Sequence, residues 1–260
     1  MQFIRYRHGA TVGYGVLDGD LADAQAPVTA LTGEPYDAYR RGPRVARRGD
    51  VALLAPVLPG KIVAVGNNFS DRAREAGLPV PTVPLLFLKP PSAVIGPDEP
   101  IRLPPQSQRV EHSAELAVVI GRAARWIPPE DALQCVLGYT CANDVTARDI
   151  VEAEGLWTRG KSFDTFCPLG PVVQTTLDPT DALITCRVGG QTRQMTSTHD
   201  MLFSVAQLIA FVSSVMTLLP GDVLLTGTPA GAGPLAAGDV VDVEIEGVGV
   251  LSNPVEAERR

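Results

Sequence analysis

Histidine is nearly absent from this chain. His8, His112 and His199 are the only three in 260 residues, and none falls in an H-E-x-x-H pattern, which argues against a zinc site built on imidazoles. Cysteine is scarce too: Cys135, Cys141, Cys167 and Cys186 form no C-x-x-C pair. A zinc ribbon or redox motif is therefore disfavoured, and the four are expected to be reduced and buried. No apolar run reaches the roughly 18 residues of a membrane span, and the opening "MQFIRYRHGATVGYG" has no apolar signal core, so the expected location is the cytoplasm. Positive charge is also short. The 22 Lys and Arg against 29 Asp and Glu leave a net charge of −7, without the positive field that nucleic acid or an anionic membrane requires. A G-x-S-x-G elbow is missing. "GTPAGAG" (227–233) lacks the Lys-Ser/Thr of a phosphate loop and reads as a pair of turns, and "VGNN" is no dinucleotide fingerprint.

What is present is an enzyme-sized chain. With 45% hydrophobic and 20% charged residues, it can bury a core without disulfides, as one large domain or a domain with a small appendage. The first 20 residues alternate and turn at His8-Gly9 and Asp18-Gly19, which predicts two short strands. Residues 32–50 are polar and rich in arginine (Arg40, Arg41, Arg44, Arg47, Arg48) and read as a solvated linker with a short helix. From Lys61 the text changes. "KIVAVG" is a buried strand leading into "NNFSDRAREAG", a polar segment with helical capacity, and "PPEDALQCVLG" is a short helix with Pro129 near its first turn. Met201, Val205, Leu208, Val212, Val215 and Leu219 make one apolar stripe, which predicts a long helix capped by Thr198 or Asp200 and ended by Pro220-Gly221. Near the C-terminus, Val and Ile alternate with Asp and Glu around Gly247 as a β-hairpin. These signals predict a β-rich α+β fold, divided into a small β-containing unit over 1–58 and a main domain over 59–260.

The chemistry rests with carboxylates. "RVEHSAELAVVIG" (109–121) reads as one strand, in which residues two apart share a face. Glu111, Ser113 and Glu115 then point one way. Further on lie Asp144, Arg148 and Asp149 in "CANDVTARDI", and Lys161 and Asp164 in "WTRGKSFDTFCPLGP". Acids on separate elements converging with a lysine and an arginine suit a hard divalent ion and an anionic substrate, and Mg²⁺ makes do with few carboxylates because it keeps its waters. Scattered surface ion pairs are the competing reading.

The segments "KIVAVGNNFSDRAREAG", "LFLKPPSAVIGP", "AELAVVIG", "GYTCANDVTARDI", "WTRGKSFDTFCPLGP" and "MTLLPGDVLLTGTPAGAGP", in order from about residue 60 to 255, together resemble the fumarylacetoacetate hydrolase family. The resemblance implies a mixed, barrel-like β-roll core with a small N-terminal domain, and a homodimer or higher oligomer. It also implies an Mg²⁺ or Mn²⁺ site at which 2-oxo or 1,3-dicarbonyl acids chelate. Members hydrolyse acylpyruvates, decarboxylate oxaloacetate-like acids, or isomerise enols. By position, the family's metal carboxylates fall on Glu115 and Asp144, its lysine on Lys161, the arginine of "ARD" on Arg148 and the threonine of "TGTP" on Thr228.

Three positions depart from the pattern. Ser113 stands where the first metal carboxylate belongs, so the metal is expected to be weakened or absent, with Glu111 an offset candidate to replace it. Val151 stands in for a glutamine. Arg72 replaces the histidine that, with Glu75, activates water. Arginine stays protonated at any working pH and is no general base. Arg72 instead suits a substrate carboxylate or an enolate, or pairs with Asp71 or Glu75 on a solvated helix. The expected protein is thus an enzyme of small oxo acids working through an enolate. Lys161, Glu75 and Arg72 are its candidate catalytic groups, and Arg148, Thr228, Arg72 and Lys161 its substrate contacts. Lyase or isomerase action ranks above C–C hydrolysis, and a non-catalytic or cyclising family member is the remaining alternative.

Overall fold

The computed structural model describes residues 1–258; the last two residues of the expected main domain lie outside them. Strands dominate, and five short α-helices interrupt them: α1 (Ser70–Glu75), α2 (Pro129–Ala132), α3 (Arg148–Glu154), α4 (Thr158–Lys161) and α5 (Val205–Val215). None is long and apolar enough to cross a membrane.

One 12-stranded sheet carries the molecule. Its spatial order runs from the edge strand Tyr39–Arg47 through Pro27–Gly33, Thr11–Leu17 and Gln2–His8 to Cys167–Gln174, Val136–Asn143 and Ala114–Ile120. It continues through Val223–Leu225 and Ile62–Gly66 to the other edge, Leu85–Lys89. A five-stranded sheet, made of Gln191–Ser197, Leu183–Val188, Val240–Ile245, Gly249–Ala257 and Ile101–Leu103, packs on its centre. The C-terminal hairpin is present, with Val240 opposite Pro254 and Ile245 opposite Gly249.

The central strand Ala114–Ile120 explains the layering. All seven of its residues are buried, the pattern of a strand covered on both faces. Leu116, Val118 and Ile120 join the core shared with the small sheet and α5, while Ala117 and Val119 join a second core with Ile62, Ala64, Leu169 and Leu225. Glu115 has the parity of Ala117 and Val119, so the site grows from that second face.

Three sequence expectations need correction. Residues 32–50 are not a linker with a helix: Pro27–Gly33 and Tyr39–Arg47 form an antiparallel ladder, followed by a single 3₁₀ turn at Arg48–Asp50. The strand Gln2–His8 pairs with Cys167–Gln174, so the first segment extends the main sheet. The edge strand Tyr39–Arg47 is exposed at nearly every position on both faces, so it carries no apolar alternation for the sequence to show.

The long helix is shorter than its stripe. It spans Val205–Val215 and is capped by Ser204 and Gln207 in a reciprocal capping box, not by Thr198 or Asp200. Thr198–Asp200 is a separate 3₁₀ turn. Asn68 then grips the intervening backbone: it accepts from Phe203 N, donates to Phe203 O, and its own carbonyl accepts from Leu202 N. Helix α5 buries Val205, Leu208, Ile209 and Val212, whereas Val215 and Leu219 are exposed.

The third correction concerns "RVEHSAELAVVIG", which is two strands. Val110–Glu111 pairs with Thr146–Ala147 as a ribbon of its own, and the long strand starts only at Ala114. Between them, His112 N donates to Gly233 O and Ser113 N to the side chain of Asn143.

Candidate active site

That break places the acids. A cavity of about 110 Å³ opens where the central strand begins. Its floor holds Ser113, Glu115 and Asp144, and Lys161, Arg148 and Thr228 complete its polar side. Arg72 enters from α1, and Val65, Leu78, Phe87 and Trp157 form an apolar wall. Seven of the eight site residues expected from sequence therefore meet in one place; Glu75 does not line it.

Asp144 is the centre of charge. It is buried, and each of its carboxylate oxygens holds a different ammonium: Oδ1 takes Lys89 Nζ at 2.7 Å and Oδ2 takes Lys161 Nζ. Burial alone pushes its pKa up, but Lys161 and Lys89 outweigh that and hold the carboxyl below its ordinary range. Glu115 has no such partner. Burial and the neighbouring Asp144 charge raise its pKa well above the usual carboxylate value, against the pull of Lys161, the Gly227 N–H at 2.7 Å, and Lys89. Lys161 is lowered to about 8, chiefly by burial, with Asp144 opposing and Lys89 adding to the shift. Its Nζ also sits 4.9 Å from the centroid of the Phe87 ring, a favourable cation–π placement.

Lys89 is the residue that sequence reasoning missed. It ends the edge strand Leu85–Lys89, on the same face as Phe87, and also donates to Val145 O at 3.2 Å. The available signal was a single lysine closing an apolar strand before Pro90-Pro91. A fully buried lysine needs a counter-charge, and Asp144 supplies it.

The remaining residues are fixed by local chemistry. The Thr228 hydroxyl donates to Ala114 O at 2.8 Å and accepts from Gln194 Nε2 at 2.8 Å. Its one proton is spent, so it offers a ligand only a lone pair. Gly227 has φ +93, and a Cβ there would stand 2.7 Å from that of Asn68; only glycine lets the loop bring its N–H to Glu115. Gly66 is needed for contact, since a Cβ would fall 2.3 Å from Trp157 Cη2. Trp157 packs edge-on against Phe87 with ring centroids 4.8 Å apart. Val151 packs against Gly160 of α4 and does not face the cavity. Asp149 accepts from Ser107 Oγ and Gln108 N, and Asp164 is exposed; neither lines the cavity.

Helix α1 covers the site as a lid. Arg72 Nη1 donates to Glu75 Oε2 at 2.6 Å, and Glu75 also accepts from Gly231 N at 3.0 Å. Asp71 accepts from Ala230 N at 3.3 Å. Arg72 is thus both a lining residue and one half of an ion pair, and Glu75 is a latch between the lid and the 227–233 loop.

A buried acid flanked by two lysines, beside a second buried acid whose pKa is raised, thus meets Arg148, Arg72 and Thr228 around one cavity. The comparisons name its class. Residues 61–256 match the family described as "Fumarylacetoacetate (FAA) hydrolase C-terminal", and residues 1–56 match "Rv2993c-like, N-terminal". The chain belongs to the fumarylacetoacetate hydrolase family and is an enzyme of that family. Protein Rv2993c of Mycobacterium tuberculosis is 43% identical over 94% of each chain. Oxaloacetate tautomerase FAHD2A, mitochondrial, of Bos taurus is 46% identical over 81% of this chain and 71% of its own. Among solved structures, a 5-carboxymethyl-2-hydroxymuconate delta-isomerase from Mycobacterium smegmatis superimposes with a TM-score of 0.93 at 42% identity, covering 99% of this chain and 100% of its own. The chain thus has the β-rich fold that the sequence resemblance implies.

Proposed function

We propose that this protein isomerises small 2-oxo dicarboxylic acids, moving a proton between the keto and enol forms through an enolate. The observation that carries the reading is the Arg72–Glu75 pair. Hydrolysis needs a base to take a proton from water. Arg72 cannot serve, and Glu75 is turned away to Arg72 and Gly231 N.

A keto–enol shift consumes no water. A proton leaves the carbon beside the carbonyl, the electron pair moves to oxygen, and a proton is delivered to that oxygen. Positive charge held over the developing oxyanion speeds such a step most, and the Lys161 ammonium, Arg148 and Arg72 all line the cavity. Lys161 and Glu115, shifted towards each other in proton affinity, are the two groups suited to exchange the proton. The names of the tautomerase and isomerase relatives support the same chemistry. Decarboxylation forms the same enolate and is the neighbouring reaction.

The donor set fits a resident divalent ion poorly. Ser113 offers a neutral hydroxyl, both Asp144 oxygens hold lysines, and one Glu115 oxygen holds Gly227 N–H. Among the described residues, no three acids, histidines or cysteines converge as a metal cluster. Asp144 is already matched by two lysines, so a dication beside it would add to the positive charge there until an anionic substrate arrived. We therefore assign the charge-stabilising role to Lys161, Arg148 and Arg72. The assembly in this reading is a homodimer in the cytoplasm, which light scattering and fractionation test.

The reaction is tested by following the enol absorbance of freshly dissolved oxaloacetate alongside pyruvate release. Faster keto–enol equilibration with little pyruvate, insensitive to a chelator, is the expected result. Rapid hydrolysis of an acylpyruvate, undiminished in Arg72→Ala, overturns the assignment.

A further inference from the structure

We infer that Glu111, which touches neither the floor acids nor the cavity, is a positioning residue that aims Arg148 at the substrate. The ligand's chemistry rests on the proposed function; the aiming itself stands on geometry. Glu111 is buried, in the two-residue strand whose partner, Thr146–Ala147, runs directly into Arg148 at the start of α3. Arg148 N donates to Arg109 O at 2.8 Å, which closes the ribbon. Across it, Arg148 Nε donates to Glu111 Oε2 at 2.8 Å.

The other oxygen of Glu111 is also engaged. Oε1 lies 3.0 Å from Arg109 Nε, and Arg109 Nη2 reaches Glu152 Oε1 at 2.5 Å. Glu111 thus stands between two guanidiniums, each facing a different carboxylate oxygen. Arg109 and Glu152 are exposed, 45% and 57%, so their own pairing is weak and acts as an outer brace. Arg148 is different. It is 20% exposed and lines the cavity. Its Nη groups make no hydrogen bond to the described residues. A guanidinium pinned through Nε presents its Nη face as a fixed fork, the geometry that grips a carboxylate through two parallel bonds. Arg148 is thus preorganised before substrate arrives, which lowers the ordering cost of binding.

The test compares Glu111→Ala, Glu111→Gln, Arg148→Ala and the double variant Glu111→Ala/Arg148→Ala. Crystal structures of the two Glu111 variants show directly where Arg148 goes. Calorimetric binding of malonate and steady-state kinetics with oxaloacetate give the consequence. In Glu111→Ala, Arg148 should leave the cavity wall. KM and the malonate dissociation constant should then rise about tenfold to a hundredfold, as for a lost charge-assisted hydrogen bond, while kcat moves much less. Glu111→Gln keeps an acceptor for Nε and should recover most of the loss. The double variant should be no worse than Arg148→Ala alone. Arg148 unmoved in Glu111→Ala overturns the proposal. So do a kcat that falls as far as KM rises, in step with a lowered melting midpoint, or additive losses in the double variant. Should the wild type not act on oxaloacetate, the isomerase reading fails by itself, and the position of Arg148 in the two crystal structures still decides the role of Glu111.

Discussion

The two sides of the cavity are built in opposite ways. The floor is a central strand with Asp144, Lys89, Lys161 and Glu115 buried around its first residues. The lid is a six-residue helix whose Asp71 and Glu75 bind exposed backbone N–H groups. On the floor, low dielectric makes each charge depend on its partners, so removing one is costly. On the lid, water screens the same kinds of contact, and each contributes little. Stability should therefore depend far more on the floor charges than on the contacts of α1.

The sharpest way to break that contrast is Asp144→Asn, which strands two buried ammoniums. A loss of about 3–5 kcal/mol in denaturant unfolding is expected, as for breaking a buried ion pair from one side; a change below about 1 kcal/mol would place the floor in the same regime as the lid. Next in size is Lys161→Met. Removing one preorganised donor at the oxyanion should cut kcat about 10²–10³-fold. With Lys161 lowered to about 8, the ammonium is present below that pH and lost above it, so activity should fall as pH rises through about 8. Lys161→Arg keeps its charge, so any activity it retains should lack that alkaline limb.

Ser113→Glu sharpens the comparison differently, by restoring a third floor acid. Mg²⁺ should then stabilise the variant by about 2–3 kcal/mol once the free ion is near a hundredfold above its dissociation constant, with a clearly smaller effect on the wild type; differential scanning calorimetry with and without the ion reads both. Equal stabilisation of both proteins would show that the serine costs the metal site nothing. The smallest effect is on the lid. Asp71→Ala should change stability by less than about 1 kcal/mol, and its signature should be a few-fold rise in KM measured by initial rates.

The pattern of what was legible follows from the same contrast. Residues in segments with distinctive text (Glu115, Asp144, Arg148, Lys161, Thr228) could be gathered by resemblance, and they line one cavity. Lys89 could not, because its role depends on an edge strand lying opposite residues 55 positions away. Arg72 and Glu75 were legible as residues, but their mutual bond and the Gly231 contact were not. Two periodicity errors have one cause. The 109–121 segment looks continuous by its alternating acids and the 201–219 helix by its apolar stripe, yet each is interrupted where the backbone bonds Asn143 and Gly233, or Asn68, all distant in sequence.

By itself the sequence determined the β-rich class and the final hairpin, and its family resemblance put Arg72 where a histidine is expected. Each is written in residue type or in period-2 alternation, and each is local. Only the tertiary structure decided that Asp144 is paired with two lysines, that Glu75 joins α1 to the Gly231 backbone, and that Glu111 holds Arg148. Those outcomes depend on which charges are brought within about 3 Å of one another out of water, where pairing is strong. Strand order in the sheet sets that proximity, and the spacing of the residues along the chain does not encode it.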